Sequence, residues 1–235
     1  MSFLMTVLDW VRDPTHWTGD DGIPMRTLQH AQISLESVAI GAVIALPIGV
    51  ALGHYGKFGN LAINISNAGR AVPSFGILII AFQLFGLGDT PVVIALVALA
   101  IPPMVTNSYV GLTEVDKDVR DAARGMGYRE LAQLMRIELP LAVPLVMAGI
   151  RTSAVQVIAT ATVAAFIGGG GLGRFIVDGY ATQIYPAVAA GAVAVALLAV
   201  GTDFALGGLE RLLVPRGVRS ERSRMAQRVT MFKAG

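Results

Sequence analysis

The residues that could do chemistry in this chain are charged side chains placed between or inside long apolar runs. The largest group lies within residues 121–140. It comprises Asp121, Arg124, Arg129, Glu130, Arg136 and Glu138. So many charges exclude the stretch from hydrocarbon, yet its apolar residues recur at helical spacing. We therefore predict a helix–turn–helix at the membrane face, with Gly127 in its turn and with small surfaces for close packing at Ala122, Ala123 and Gly127.

Catalytic and metal-binding chemistry has little support in the sequence. The chain has no cysteine, and its three histidines, His16, His30 and His54, do not pair at ligand spacing. Residues 168–173 include five glycines, but no Gly-Lys-Ser/Thr follows them, so the segment is not a phosphate loop. From its residues alone this segment is a flexible turn. We expect no cofactor and no metal on this chain.

The composition is that of a membrane protein. Of the 235 residues, 54% are hydrophobic and only 14% are charged, whereas a soluble domain has about 25% charged residues. Several nearly uncharged stretches reach the length of about 20 residues that a helix needs to cross a bilayer. We predict an all-α, polytopic fold with five transmembrane helices, at residues 33–53, 59–85, 91–112, 141–167 and 187–209.

The remaining segments complete the predicted organisation. Residues 1–29 form an N-terminal segment outside the membrane, and residues 30–213 form the transmembrane domain. Residues 113–139 are the charged loop, and residues 214–235 are a basic tail. With the N-terminus outside, most Lys and Arg residues fall in the segments on the cytoplasmic side, as the positive-inside rule requires. The charged loop and the C-terminus are then cytoplasmic.

Several polar residues and a proline fall inside or beside the predicted spans, where such residues mark either helix contacts or a transport pathway. They are Arg70, Pro73, Asn107, Arg151 and Gln156. Arg70, near Pro73, is either a functional residue or an arginine that reaches the interface or pairs locally. The Pro102-Pro103 pair should bend or break the third span. Asn107 either lines a pathway or bonds a neighbouring helix.

Arg151 is the most unusual of these residues. It follows Pro140 by 11 residues, which is about 16 Å along a helix and close to the middle of a bilayer. A charge at that depth needs a partner, and Glu36 or Asp203 could supply it. Both a structural ion pair and a direct role in transport remain open.

Residues 121–140 resemble the cytoplasmic "EAA" loop of the binding-protein-dependent ABC importer permeases. The family pattern is Glu-Ala-Ala, three residues, Gly, nine residues and Ile-x-Leu-Pro. Here it reads Asp121-Ala122-Ala123, then Gly127, then Ile137-Glu138-Leu139-Pro140, with Asp for Glu as the one departure. In that family the loop docks on the ATPase, so the resemblance implies that Asp121, Ala122, Ala123 and Gly127 couple to it. The pattern alone leaves open an amphipathic helix resting on lipid headgroups.

The resemblance covers about residues 27–214 and implies the type I ABC importer permease fold in the plasma (inner) membrane of a prokaryote. The glycine-rich segment 168–173 is typical of the osmoprotectant and methionine branches. We expect a permease for glycine betaine, choline or carnitine, with a methionine or other small-solute permease as the alternative. An ion-driven secondary carrier and a non-transporting scaffold are more remote alternatives.

The resemblance also implies partners. They are a pair of ABC ATPase subunits that carry ATP and Mg, an extracytoplasmic substrate-binding protein, and a second permease chain, identical or related. Membrane lipid surrounds the chain, and we expect no nucleic acid. No Gly-x-x-x-x-Gly-Lys-Ser/Thr motif occurs in the sequence, so ATP hydrolysis is expected on a separate subunit rather than on this chain.

Overall fold

The computed structural model describes residues 3–56, 64 and 73–214, and these residues form helices and connecting turns without a strand. The predicted all-α class is confirmed. The α-helices, in chain order, are α1 (Phe3–Arg12), α2 (Ile23–Tyr55), α3 (Ser74–Phe85), α4 (Asp89–Thr113), α5 (Lys117–Gly125), α6 (Glu130–Gln133), α7 (Leu139–Ala161), α8 (Gly173–Ala181) and α9 (Tyr185–Leu213).

The structure corrects the predicted number of spans. Within residues 3–56 and 73–214, four helical runs rather than five are long and apolar enough to cross a membrane: α2, α4, the continuous run Glu130–Ile167, and α9. The second predicted span, 59–85, is represented there by the 12-residue α3. At about 1.5 Å per residue, α3 extends only about 18 Å. It begins directly after Pro73, which is its N-cap.

The first long helix begins ten residues before the predicted span. It starts at Ile23, after the extended Gly22, and Pro24 occupies its first turn, where a proline costs no helical hydrogen bond. Residues 23–29, which we had placed in the N-terminal segment, are therefore helical. The hydropathy pattern missed this extension because its polar residues pack against another part of the chain.

The Pro102-Pro103 pair does not break its helix, so of the predicted bend or break the break is excluded. α4 continues through both prolines to Thr113. The side chains one turn later donate back to the proline carbonyls, Thr106 Oγ1 at 3.0 Å from Pro102 O and Asn107 Nδ2 at 2.8 Å from Pro103 O. α4 also packs between α2 and α7, and such neighbours let a membrane helix tolerate prolines.

Small residues on α2 face α4 and set the packing of the bundle. Gly41, Ala45, Gly49 and Gly53 recur every four residues and are buried, the spacing that lets membrane helices approach closely. A Cβ at Gly53 would lie 2.5 Å from the Leu112 Cβ. Gly41 faces Ala100 and Gly53 faces Leu112, so α2 and α4 run parallel and end at the same face. The charged loop follows α4 at that face.

Candidate functional site

The charged loop folds into the helix–turn–helix that its pattern predicts. α5 begins after Asp116, whose side chain caps the helix by accepting from the Asp118 N–H at 2.8 Å. A turn then leads to the short α6, and residues Leu134–Glu138 continue into α7 as one turn of π-helix. The loop therefore lies where α2 and α4 end and α7 begins. A movement of the loop would therefore be passed first to α2, α4 and α7.

Gly127 gives the turn between α5 and α6 its shape. Its φ is +79°, in the left-handed region that costs other residues about 1–2 kcal/mol. The Tyr128 N–H donates to Ala123 O at 3.2 Å and the Gly127 N–H donates to Arg124 O at 2.9 Å, which together form a Schellman cap. We had predicted only a small docking surface here. The structure adds a backbone role, and the space that a Cβ would enter is open.

The other residues of the motif divide between an inner and an outer face. Ala123 is fully buried in the chain's own fold, whereas Asp121 and Ala122 are exposed. Asp121 lies 3.6 Å from Arg124, one helical turn away, and both side chains are mostly in solvent. Such a pair contributes about 0–1 kcal/mol. Asp121 and Ala122 are therefore accessible to a partner, while the small size of Ala123 serves internal packing.

Large apolar side chains are exposed on the same loop as Asp121 and Ala122. They are Val119, Met126, Leu131 and Met135, and Met126 is 69% exposed. We call these four residues, with Asp121 and Ala122, the exposed loop surface. Exposed apolar side chains grouped on a charged loop are typical of a protein or membrane contact.

Arg151 joins α7 to α9 through two carboxylates. Its Nε and Nη2 each lie 2.9 Å from an Asp203 oxygen, and its Nη1 lies 3.0 Å from Glu210 Oε2. Of our two candidate partners, the structure selects Asp203, while Glu36 lies exposed on α2. Sequence reasoning missed Glu210. Its spacing of seven residues from Asp203, two helical turns, was the available signal.

The other predicted pathway residues are not bonded to one another in the described part of the chain. Asn107 bonds within its own helix, and a Cβ at Gly149 would lie 2.8 Å from its Cβ, so α7 packs closely against it. Gln156 is half-buried on α7, and Pro73 is exposed at the start of α3. Across residues 73–214, no hydrogen bond or ion pair joins any two of Pro73, Asn107, Arg151 and Gln156. Arg70 and the basic tail beyond residue 214 lie outside the described residues.

The glycine-rich segment is a packed contact rather than a slack turn. The Gly171 N–H donates to Gln29 Oε1 at 3.2 Å. Gly171 has a φ of +86°, and a Cβ there would lie 3.0 Å from the His30 Cβ. A Cβ at Gly173 would overlap Thr162 O. These glycines seat the segment on the early turns of α2, which explains why that helix begins with polar residues.

The helical bundle with its charged helix–turn–helix matches solved membrane-transporter structures in fold. In fold the chain is similar to a solved structure of the methionine ABC transporter MetNI in inward-facing conformations. The TM-score is 0.74 and the identity is 19%, covering 86% of this chain and 99% of that one. A second crystal form of MetNI gives a TM-score of 0.72 at 21% identity, with the same coverage.

Sequence comparison identifies the family. The family model described as the binding-protein-dependent transport system inner membrane component matches residues 41–216. The chain belongs to this family. The resemblance that we drew from the loop is thereby confirmed. Members of the family are permease subunits of ABC transporters. The permease subunit is not itself an enzyme, and in general it works with an ATPase and a binding protein.

Curated relatives cover most of the chain. The carnitine transport permease protein OpuCB of Listeria monocytogenes is 39% identical over 198 residues, 84% of this chain and 91% of that protein. The glycine betaine/carnitine/choline transport system permease protein OpuCB of Bacillus subtilis (strain 168) is 38% identical, over 83% of this chain and 89% of its own length. The osmoprotectant import permease protein OsmW of Salmonella typhimurium is 30% identical, over 88% and 100%.

Proposed function

We propose that this chain, paired with a second permease chain that is identical or related, forms the path of an ATP-driven importer for osmoprotectants such as glycine betaine, choline or carnitine. The substrate class rests on the similarity to three permeases whose names specify carnitine, glycine betaine or choline. They are 38–39% identical to this chain over 83–84% of its length. The methionine alternative has support only from a fold likeness at 19–21% identity.

The exposed loop surface is the proposed contact with the ATPase pair, and from here on we call it the coupling surface. An extracytoplasmic binding protein delivers the substrate, and ATP binding closes the two ATPases against the two loops. The loops then move the helices and switch access from one side of the membrane to the other. The exposed Asp121 and Ala122, with the exposed apolar Met126 and Leu131 on the same loop, support a protein contact. A helix resting on headgroups is the competing interpretation.

The pathway for these solutes needs little charge. A quaternary ammonium group is held well by aromatic or weakly polar contacts, and only 7% of the residues are aromatic. We infer that the binding protein selects the substrate and that the permease mainly conducts it. In this account Arg151, held by two carboxylates of α9, supports the helix bundle.

The proposed orientation places the N-terminus outside and the coupling surface in the cytoplasm. α5 carries Lys117, Arg120 and Arg124 at one face of the bundle, and Arg129 precedes α6 there. α8 connects α7 to α9 at the other end of those helices. The positive-inside rule assigns the first face to the cytoplasm.

A cysteine at Met126 tests both the contact and the orientation, because the chain has no native cysteine. Met126→Cys should cross-link to the ATPase subunit in the assembled complex and should resist a membrane-impermeant maleimide in intact cells. Tyr180→Cys, on α8 and 71% exposed, is the control. It should react with the maleimide from outside and should give no cross-link to the ATPase.

The reversed labelling pattern would contradict the orientation. Failure of Met126→Cys to cross-link in a complex that hydrolyses ATP, with reagents of several spacer lengths, would favour the headgroup interpretation of the loop.

A further inference from the structure

Glu138 is a fully buried carboxylate beneath the coupling surface. Its Oε2 lies 2.7 Å from His54 Nδ1, at the end of α2, and its Oε1 accepts from Gln133 Nε2 at 2.7 Å. Arg120 Nε, on α5, lies 3.7 Å from Oε1. From the sequence, Glu138 was only one of the charges that keep the loop out of hydrocarbon. The fold makes it the centre of a polar cluster.

The π-helical turn is what brings two of these groups together. Gln133 and Glu138 are five residues apart, and in a regular α-helix residues at that spacing point about 140° away from each other. Residues Leu134–Glu138 instead form a π turn, in which the Leu139 N–H donates to Leu134 O. The wider turn places both side chains on one face. Such turns are frequent at functional sites.

The cluster ties the loop to two membrane helices. Arg120 also donates through Nη2 to Leu112 O, near the end of α4. His54 belongs to α2, and Glu138 leads into α7. A buried carboxylate is stable only when it is well paired, so loss of one partner leaves the others unsatisfied. The four side chains therefore hold α2, α4, α5 and the start of α7 as one unit.

We infer that Glu138 is a positioning residue that transmits movement of the coupling surface to α2 and α4. This inference rests on the proposed function, in which an ATPase moves the loop. The loop is covalently continuous with α4 and α7, which both pack against α2, and the contact between Glu138 and His54 adds a direct polar link from the loop to α2. A rigid, charge-paired cluster displaces α2 together with the loop, whereas a loop without it can yield locally. Arg120 Nε is buried without a hydrogen-bond partner, so it has unused capacity to bond if the cluster shifts.

Glu138→Gln tests the inference in the full complex of permease, ATPase and binding protein reconstituted in vesicles. Glutamine keeps the shape of the side chain and removes its charge. Glu130→Gln is the matched control, since Glu130 is an exposed carboxylate on α6 in the same loop. We expect Glu138→Gln to co-purify with the ATPase like the wild type and to lower substrate transported per ATP hydrolysed by about tenfold. Glu130→Gln should leave that ratio unchanged.

The ratio separates positioning from a merely structural role. A merely structural role would lower transport and ATP hydrolysis together, in proportion to the amount of folded complex. The ratio of transport to hydrolysis would then stay at the wild-type value, and that result would overturn the inference. If Glu138→Gln does not assemble, His54→Phe decides, because phenylalanine keeps a ring at this position but cannot bond to the carboxylate, and Glu138 stays bonded to Gln133. A lowered ratio supports the inference and an unchanged ratio overturns it. A wild-type chain that binds no ATPase would instead refute the proposed function.

Discussion

Replacement of Arg151 by methionine is expected to weaken the contact between α7 and α9 and to destabilise the helix bundle. Asp203 and Glu210 would be left facing α7 without their cation. Breaking a fully buried pair costs about 3–5 kcal/mol. Because the Arg151 side chain is 32% exposed, we expect a loss of about 2 kcal/mol after allowing for solvent screening. The measurement is the melting temperature of the purified chain in detergent.

Two variants make this prediction specific. Arg174→Met removes a cation from a one-turn pair with Asp178 at 3.0 Å that is half in solvent, so it should change stability by less than about 1 kcal/mol. The triple variant Arg151→Met, Asp203→Asn, Glu210→Gln has no uncompensated carboxylate and should recover most of the lost stability. If Arg151→Met melts like the wild type but no longer transports, Arg151 acts in the pathway and the structural account is wrong.

The second large effect is expected for Gly127→Asp. Aspartate tolerates the left-handed backbone better than most residues, so the turn should survive the φ of +79° at this position. The new side chain would enter the open space above the turn and place a second carboxylate near Asp121. Misplaced charge at an interface costs several kcal/mol, so we expect co-purification with the ATPase to fall by more than about tenfold.

Two milder substitutions separate the roles of Gly127. Asparagine keeps the backbone conformation and adds bulk, whereas alanine adds little bulk and strains the backbone. If clearance for the ATPase dominates, Gly127→Asn should couple worse than Gly127→Ala; if the Schellman cap dominates, the order should reverse. Unchanged assembly and transport in Gly127→Asp would show that the turn does not face the ATPase.

The long helices and the charged loop could be predicted because each carries a local signal. Uncharged runs placed α4, the 141–167 segment and α9 within a few residues of their observed ends. Helical spacing on both sides of Gly127 predicted the two short helices. These features depend on hydrophobic burial and backbone conformation, which neighbouring residues in the sequence determine.

The parts that could not be predicted depend on tertiary contacts. The early start of α2 reflects packing of its polar first turns against the glycine-rich segment. To predict that Arg151 pairs with Asp203 rather than with Glu36, one must know which faces of α2 and α9 point toward α7. The cost of burying the Glu138 carboxylate is offset by its bond to His54, 84 residues away in the sequence. The π turn that orients Glu138 has no local sequence pattern that predicts it.

The central claim is that this chain is the permease of an osmoprotectant importer. The most direct test is ATP hydrolysis by the chain co-expressed with its ATPase and reconstituted in vesicles, without and with binding protein loaded with glycine betaine, choline, carnitine or methionine. We predict stimulation by binding protein loaded with a quaternary amine and none with methionine. Stimulation by methionine alone, or stable ATPase association with no stimulation by any of the four, would contradict the substrate assignment. Absence of any ATPase association would contradict the claim itself.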